Sequence, residues 1–259
     1  LEEYYTHLQT GEDNSVALAL GAHDVLVDTD LMLHPEQIDA INKDAELSRI
    51  MLEGYFEYLE ESGADQNLQV IAAEERLETP LVTEKGTVTV VGKIDLRVRD
   101  TSTEQEYFLD HKTVAEFTTP TKSLHMDEQL KMYHWLLQQK GERVDGAIYN
   151  MLRKVKRTAR ATPPFYERMY VQHSPQEIAT FFTRLTGEIE DILRTTQALD
   201  NGGDHHRFAY PHPTRDCSWD CEFYPVCPLM DRPQDDPEDV LQYLYETYDP
   251  YERYEEEVV

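Results

Sequence analysis

TVTVVGKIDLRVRD (residues 87–100), EYFLDHKT (106–113) and HMDEQLKMYHWLL (125–137) read as strand, strand and helix. In the first segment Val88, Val90, Ile94, Leu96 and Val98 share one parity, and Lys93, Asp95, Arg97 and Arg99 share the other. Side chains alternate across a strand, so Asp95 falls on the face opposite the apolar row. A polar turn, Asp100 to Gln105, leads into the second strand, where Asp110 and Lys112 share a parity and point the same way. Paired as a hairpin, the two strands bring two carboxylates and one ammonium onto one patch. An exposed Asp-x-Lys is commonly a weak surface ion pair. Here Phe108 and the strong β-formers around it argue for burial. On the helix, Gln129 and Tyr133 stand at i and i+4 and project from one face.

With 259 residues and 40% hydrophobic content, the chain can bury one good core with a helical appendage. No apolar run approaches membrane-spanning length and no secretory signal is visible, so a cytoplasmic protein without a membrane partner is expected. The net charge of −27, from 51 acidic and 24 basic residues, argues on its face against nucleic acid. Distribution matters more than the sum. Arg153, Lys154, Lys156, Arg157 and Arg160 follow the strand-like GAIYNML (146–152) as a basic track, while acid concentrates at the chain ends, as in YEEEVV (254–259). Such a track is compatible with binding a nucleic-acid end.

Residues 1–62 read as helical, with Leu1, Tyr5 and Leu8 in one stripe and a second helix from Pro35 to Leu59. His23 and His34 between them read as loop histidines. The chain opens on Leu1, and LEEYYTHL looks like the middle of a helix, so the natural N-terminus is expected upstream. Gly63 to Asn67 is a turn, and LQVIAAEERLETPLVTE (68–84) is one bent strand or two short ones. VAEFTTPTKSLH (114–125) reads as a connection to the Gln/Tyr helix, and Val144 to Leu152 as the next strand. ATPPFYERMYVQH (161–173) holds a further strand. Ser174-Pro175-Gln176-Glu177 is a capping box opening a core helix that stops at Asn201-Gly202-Gly203.

All three cysteines lie in DCSWDCEFYPVCP (216–228), as C-x3-C-x5-C. An odd count without a secretion signal is no disulfide framework. Three readings stand: a [4Fe–4S] site, which needs four thiolates; a Zn²⁺ site recruiting His205, His206 or His212; and three unligated thiols. The acidic, Tyr-rich end reads as a short helix, Val240 to Tyr248, and a solvated tail.

GKID (92–95), LDHKT (109–113), QLKMY (129–133) and the cysteines together resemble RecB-type nucleases of the PD-(D/E)XK superfamily, close to CRISPR-associated and phage-encoded exonucleases, over Glu74 to Pro228. The resemblance implies an α/β fold: a restriction-endonuclease-like mixed sheet flanked by helices, with a helical N-terminal part and a cysteine-stapled C-terminal segment. The expected parts are an N-terminal helical part (1–62), the nuclease core (63–200), the cysteine segment (201–230) and the acidic tail (231–259). It further implies that Asp95, Asp110 and the backbone carbonyl of His111 hold Mg²⁺ or Mn²⁺, with Glu74 where relatives often place a glutamate. Lys112 would serve the attacking water, and Gln129 and Tyr133 would hold the substrate phosphate or the Lys112 ammonium in register. Cys217, Cys221 and Cys227 would bind the iron–sulfur cluster with a fourth cysteine upstream, and relatives also carry an upstream histidine. The implied activity is metal-dependent exonucleolytic hydrolysis of DNA, single-stranded or at duplex ends, alongside recombination or CRISPR adaptation proteins. An end- or flap-processing endonuclease and a non-catalytic DNA- or partner-binding module are the rivals.

Overall fold

The computed structural model describes residues 1–11, 14–27, 35–209, 212–229, 232 and 237–247. Three helices come first: α1 (Glu2–Thr10), α2 (Ser15–Val27) and α3 (Pro35–Ser62). Strands β1 (Leu68–Thr83), β2 (Gly86–Asp100) and β3 (Gln105–Val114) follow. Next are α4 (Thr118–Ser123), a 3₁₀ turn at Leu124–Met126, and α5 (Glu128–Lys140). Strands β4 (Gly146–Arg153) and β5 (Tyr166–Val171) precede the long α6 (Pro175–Asp200). The short helices α7 (His205–Phe208), α8 (Cys217–Asp220) and α9 (Pro237–Leu244) complete the described elements.

The chain divides into two compact units, residues 1–83 with 87–186, and residues 84–86 with 187–259. The first holds a five-stranded sheet in the order β1-β2-β3-β4-β5. β2 and β3 are antiparallel, β3 and β4 parallel, and β4 and β5 antiparallel. A parallel neighbour needs a crossover, and the segment containing α4 and α5 supplies it. The result is the expected mixed sheet flanked by helices, with a helical N-terminal part.

Strand parity decides what each face carries. Leu96, Val98, Leu109 and Ile148 form one buried cluster with Tyr5 of α1. Each such side chain contributes about 1.5–3 kcal/mol on full burial. Phe108, of the other parity, meets Tyr133 of α5 edge-on at 5.9 Å between ring centroids. α5 starts where Asp127 accepts the Leu130 N–H and ends at Gly141 in the left-handed conformation (φ 80°). Gly92 lets that helix sit close to β2: a Cβ there would lie 2.8 Å from Leu136 Cδ1 and 3.1 Å from Tyr133 Cε1.

Several local expectations are met by explicit bonds. Ser174 N–H donates to Glu177 Oε2 at 2.7 Å while Glu177 N–H returns to Ser174 Oγ at 3.3 Å, so the capping box is present. At the far end of α6, Gly202 N–H reaches Leu199 O and Gly203 N–H reaches Ala198 O, the two bonds of a Schellman stop. β1 is a single strand carrying Glu74 at φ 51°, the bend that its sequence left between one strand and two.

Other expectations need correction. His23 is on α2, not in a loop, and its Nε2 is 2.6 Å from Ser48 Oγ of α3. Residues 114–125 are not a plain connection but hold α4, whose first N–H groups are taken by the Glu116 carboxylate at 2.7 and 2.8 Å. The C-terminal helix ends at Leu244 and not at Tyr248. His34 and the tail from residue 248 lie outside the described residues. No described helix is long and apolar enough to cross a membrane.

The close approach at Gly92 yields a first prediction. Gly92→Val forces a branched side chain against Tyr133 and Leu136, and urea unfolding should show a loss of about 1–3 kcal/mol. An unchanged midpoint would mean that α5 does not depend on this contact.

Candidate active site

β2 and β3 pair with Leu96 opposite Leu109 and Arg97 opposite Phe108. Continuing that register sets Asp95 across from Asp110, and directly opposite residues share a face. Asp95 Oδ2 accepts the His111 backbone N–H at 2.8 Å, which ties the first carboxylate to the strand that carries the second. Asp110 is 2% exposed. Its Oδ1 accepts from Lys112 Nζ at 3.0 Å, while Oδ2 is buried and has no hydrogen-bond partner. Burial raises the Asp110 carboxyl to about 6; Lys112 pulls it down, and Asp95 and Asp127 push it up.

Lys112 is the bridge between sheet and helix. Its ammonium donates to Asp110 and also to Gln129 Oε1 at 2.7 Å. Gln129 Nε2 in turn donates to Tyr133 OH at 3.0 Å. The i, i+4 pair thus acts as one unit, with Tyr133 orienting the amide and the amide holding the ammonium. The side chains of Asp95, Asp110, Lys112, Gln129 and Tyr133 are drawn together from β2, β3 and α5.

Glu74 is placed differently. Its carboxylate is 3.1 Å from Lys93 Nζ, and its pKa is raised by burial, with Asp95 adding to the rise. Glu74 is therefore within the field of Asp95 but is occupied by its own counterion. Among the described residues no three His, Cys, Asp or Glu side chains gather into a group able to hold a metal ion. Two carboxylates with main-chain oxygen remain. Asp110 Oδ2, a desolvated oxygen without a donor beside a second carboxylate, suits a hard divalent cation, so these residues fit Mg²⁺ or Mn²⁺.

The basic track is dispersed by its neighbours. Lys156 pairs with Glu46 at 2.5 Å, and Arg157 pairs with Glu57 and donates to Gly54 O. Arg153 donates to Thr162 O at 3.0 Å and lies over the Phe165 ring. Lys154 and Arg160 are exposed. Lys154 lines a groove of about 630 Å³ together with His111, Lys112, Thr113 and apolar residues of α3.

The three cysteines lie on two short turns. Cys217 and Cys221 flank the single turn α8, and Cys227 opens a separate 3₁₀ turn. All three thiols are free, and Cys217 Sγ accepts the Thr214 N–H at 3.3 Å, which also lowers its pKa. Local bonding turns that sulfur toward its own loop. Nothing among the described residues supports an iron–sulfur or zinc centre, and no chemistry is assigned to the segment.

Sequence reading missed a polar network beneath the site. Asn150, fully buried, lies opposite His111 in β3 and opposite Arg168 in β5. Its side chain bonds His111, Arg168 and Tyr55. A polar residue within the apolar run GAIYNML was the available signal.

A family model described as the PD-(D/E)XK nuclease superfamily matches residues 1–228. Among solved structures, the chain is 15% identical to the protein SSO0001, covering 75% of this chain and 81% of that one, with a TM-score of 0.35. It is 14% identical to a protein from Eubacterium rectale named "Putative exonuclease", covering 91% and 82%, with a TM-score of 0.45. No curated protein is matched.

Burial of Asp110 has a consequence for stability. Its pKa is raised from 3.8 to about 6, so the folded chain holds this proton more tightly than the unfolded one. The stabilising effect is full below 3.8 and is lost as pH rises through about 6. Asp110→Asn keeps an acceptor for Lys112 without the charge. It should be more stable than the native chain by ~3 kcal/mol at about pH 7.5, with the difference closing by about pH 3.5. A constant difference across that range in urea unfolding would contradict the assignment.

Proposed function

Because the chain belongs to the PD-(D/E)XK nuclease superfamily, we propose that it hydrolyses DNA phosphodiesters with Mg²⁺ or Mn²⁺ held by Asp95, Asp110 and the main-chain carbonyl of His111. One observation carries this reading: Asp110 Oδ2, a buried carboxylate oxygen without a hydrogen-bond partner, beside a second carboxylate and a tethered lysine. Bound there, a divalent ion supplies Lewis acidity toward a phosphate oxygen and lowers the pKa of water.

The chain's own residues do the rest. Lys112 offers an ammonium to a phosphate oxygen as negative charge builds, and its two present acceptors hold it at the carboxylates beforehand. Gln129 and Tyr133 fix that ammonium and are positioning residues. Lys154, at the groove that Lys112 and Thr113 share, meets the phosphate backbone of the strand. Lys156 and Arg157 join it only by leaving Glu46 and Glu57, which makes binding strongly salt-dependent. The RecB-like, exonucleolytic form of this activity rests on the Gln129–Tyr133 pair and the motifs around it, and DNA ends are its substrate.

Purified protein given Mn²⁺ and 5′- or 3′-labelled linear DNA should release nucleotides. Lys112→Ala should lower the rate at least about 100-fold, and Asp110→Ala should abolish it. Retained cleavage in either variant would remove the catalytic assignment. Circular single-stranded DNA should survive; its cleavage would make the protein an endonuclease. DNA binding without any hydrolysis would leave the non-catalytic module.

A further inference from the structure

His111 lies between Asp110 and Lys112, and its side chain leaves the opposite face of β3. There His111, Asn150 and Arg168 form one row across three neighbouring strands. Tyr55 of α3, Tyr5 of α1 and Asp65 close the row from the helical side. The hydrogen bonds in this network have one consistent direction, and that direction fixes the state of His111.

Arg168 Nε can only donate, so the group 3.0 Å from it is Asn150 Oδ1. The Asn150 amide nitrogen therefore faces the other way, 3.0 Å from Tyr55 OH and 2.7 Å from His111 Nδ1. An amide nitrogen cannot accept, so His111 Nδ1 must, and the ring proton is on Nε2. With Nδ1 accepting, the ring is neutral. Tyr55 OH accepts from Asn150 and, at 2.6 Å, from Arg168, which leaves its own proton for Tyr5 OH at 3.2 Å. Tyr5 OH donates to Asp65 Oδ2 at 3.0 Å, and Asp65 Oδ1 accepts from Arg168 at 2.6 Å. Stacking on Tyr5, with centroids 5.5 Å apart and planes at 21°, fixes the plane of the imidazole.

A sheet face that needed only stability would be served as well by apolar residues. A buried network this densely bonded, in which His111 Nε2 is left without a partner, instead specifies one geometry. What it specifies here is the main chain at residue 111, whose N–H holds Asp95 and whose neighbours are Asp110 and Lys112. We propose that Asn150 is a positioning residue for the metal centre: by locking His111 as its Nε2–H tautomer, it fixes the β3 backbone where Asp95 and Asp110 meet. This rests on the metal-dependent reading above.

The test combines Mn²⁺ binding, followed by the electron paramagnetic resonance signal of free Mn²⁺, with ¹⁵N spectra of histidine in the full chain. The native protein should show His111 protonated on Nε2. Asn150→Leu should weaken Mn²⁺ binding about 10–100-fold, as for other residues that orient metal ligands. Asn150→Asp turns the donor facing His111 into an acceptor. It should move the proton to Nδ1, keep the ring in place and recover most of the Mn²⁺ affinity. A residue that only packs would lower the melting temperature in both variants and leave Mn²⁺ affinity alone; that result overturns the proposal, as does a native Nδ1–H tautomer. Should Asn150→Leu fail to fold, Tyr55→Phe removes the hydroxyl on which Asn150 and Arg168 converge, and unchanged Mn²⁺ affinity there overturns it equally. If the native chain binds no Mn²⁺ while the Nε2–H tautomer is present, the metal reading itself has failed.

Discussion

Two carboxylates of like charge share one face of a largely dry sheet, and the burial of Asp110 beside Asp95 sets the terms for what surrounds them. Asp110 is desolvated and feels Asp95, so its ionised form is disfavoured. The surroundings answer with one ammonium, one main-chain N–H and one helix. Lys112 offsets Asp110, the His111 N–H offsets Asp95, and α5 brings Gln129 and Tyr133 to hold Lys112. One oxygen remains unanswered, Asp110 Oδ2. A site that leaves negative charge partly uncompensated in a dry place is poised for a cation.

The same logic extends outward. Arg97, on the parity of Asp95 and 5% exposed, is clamped between Glu75 and Glu142 at 2.9 Å each. On the opposite face Arg168 is surrounded by Asp65, Tyr55 and Tyr5. Burial works against its charge, but those partners outweigh burial and raise its pKa. Buried cations on both faces are therefore paired, and the chain's acidic excess shows at the surface. It also claims Lys156 and Arg157, which is how a basic run in sequence becomes neutralised in space. Contact with a polyanion then depends on local groups such as Lys154, not on net charge.

The legible part of this protein was the part written in short-range pattern. Strand parity placed Asp95 against the apolar row, i, i+4 spacing joined Gln129 to Tyr133, and the two ends of α6 carried their own stop and start signals. The illegible part depends on residues remote in sequence. Tyr5, Tyr55, Asp65, His111, Asn150 and Arg168 have no spacing in common; only the order of β3, β4 and β5 and the packing of α1 and α3 bring them together. α2 was not told apart within the helical stretch 1–62 because SVALALGAHDVLV is apolar nearly all round, with no amphipathic stripe to reveal it. Cysteine spacing suggested a ligand set, but spacing alone does not say what three sulfurs hold.

The central claim is that Asp95 and Asp110 grip the same divalent ion. Crystals soaked in Mn²⁺ and measured at a wavelength where manganese scatters anomalously test it directly. The account predicts one strong anomalous peak within coordination distance of a carboxylate oxygen from each residue. A map with no peak there, or with manganese bound only elsewhere on the chain, would contradict it.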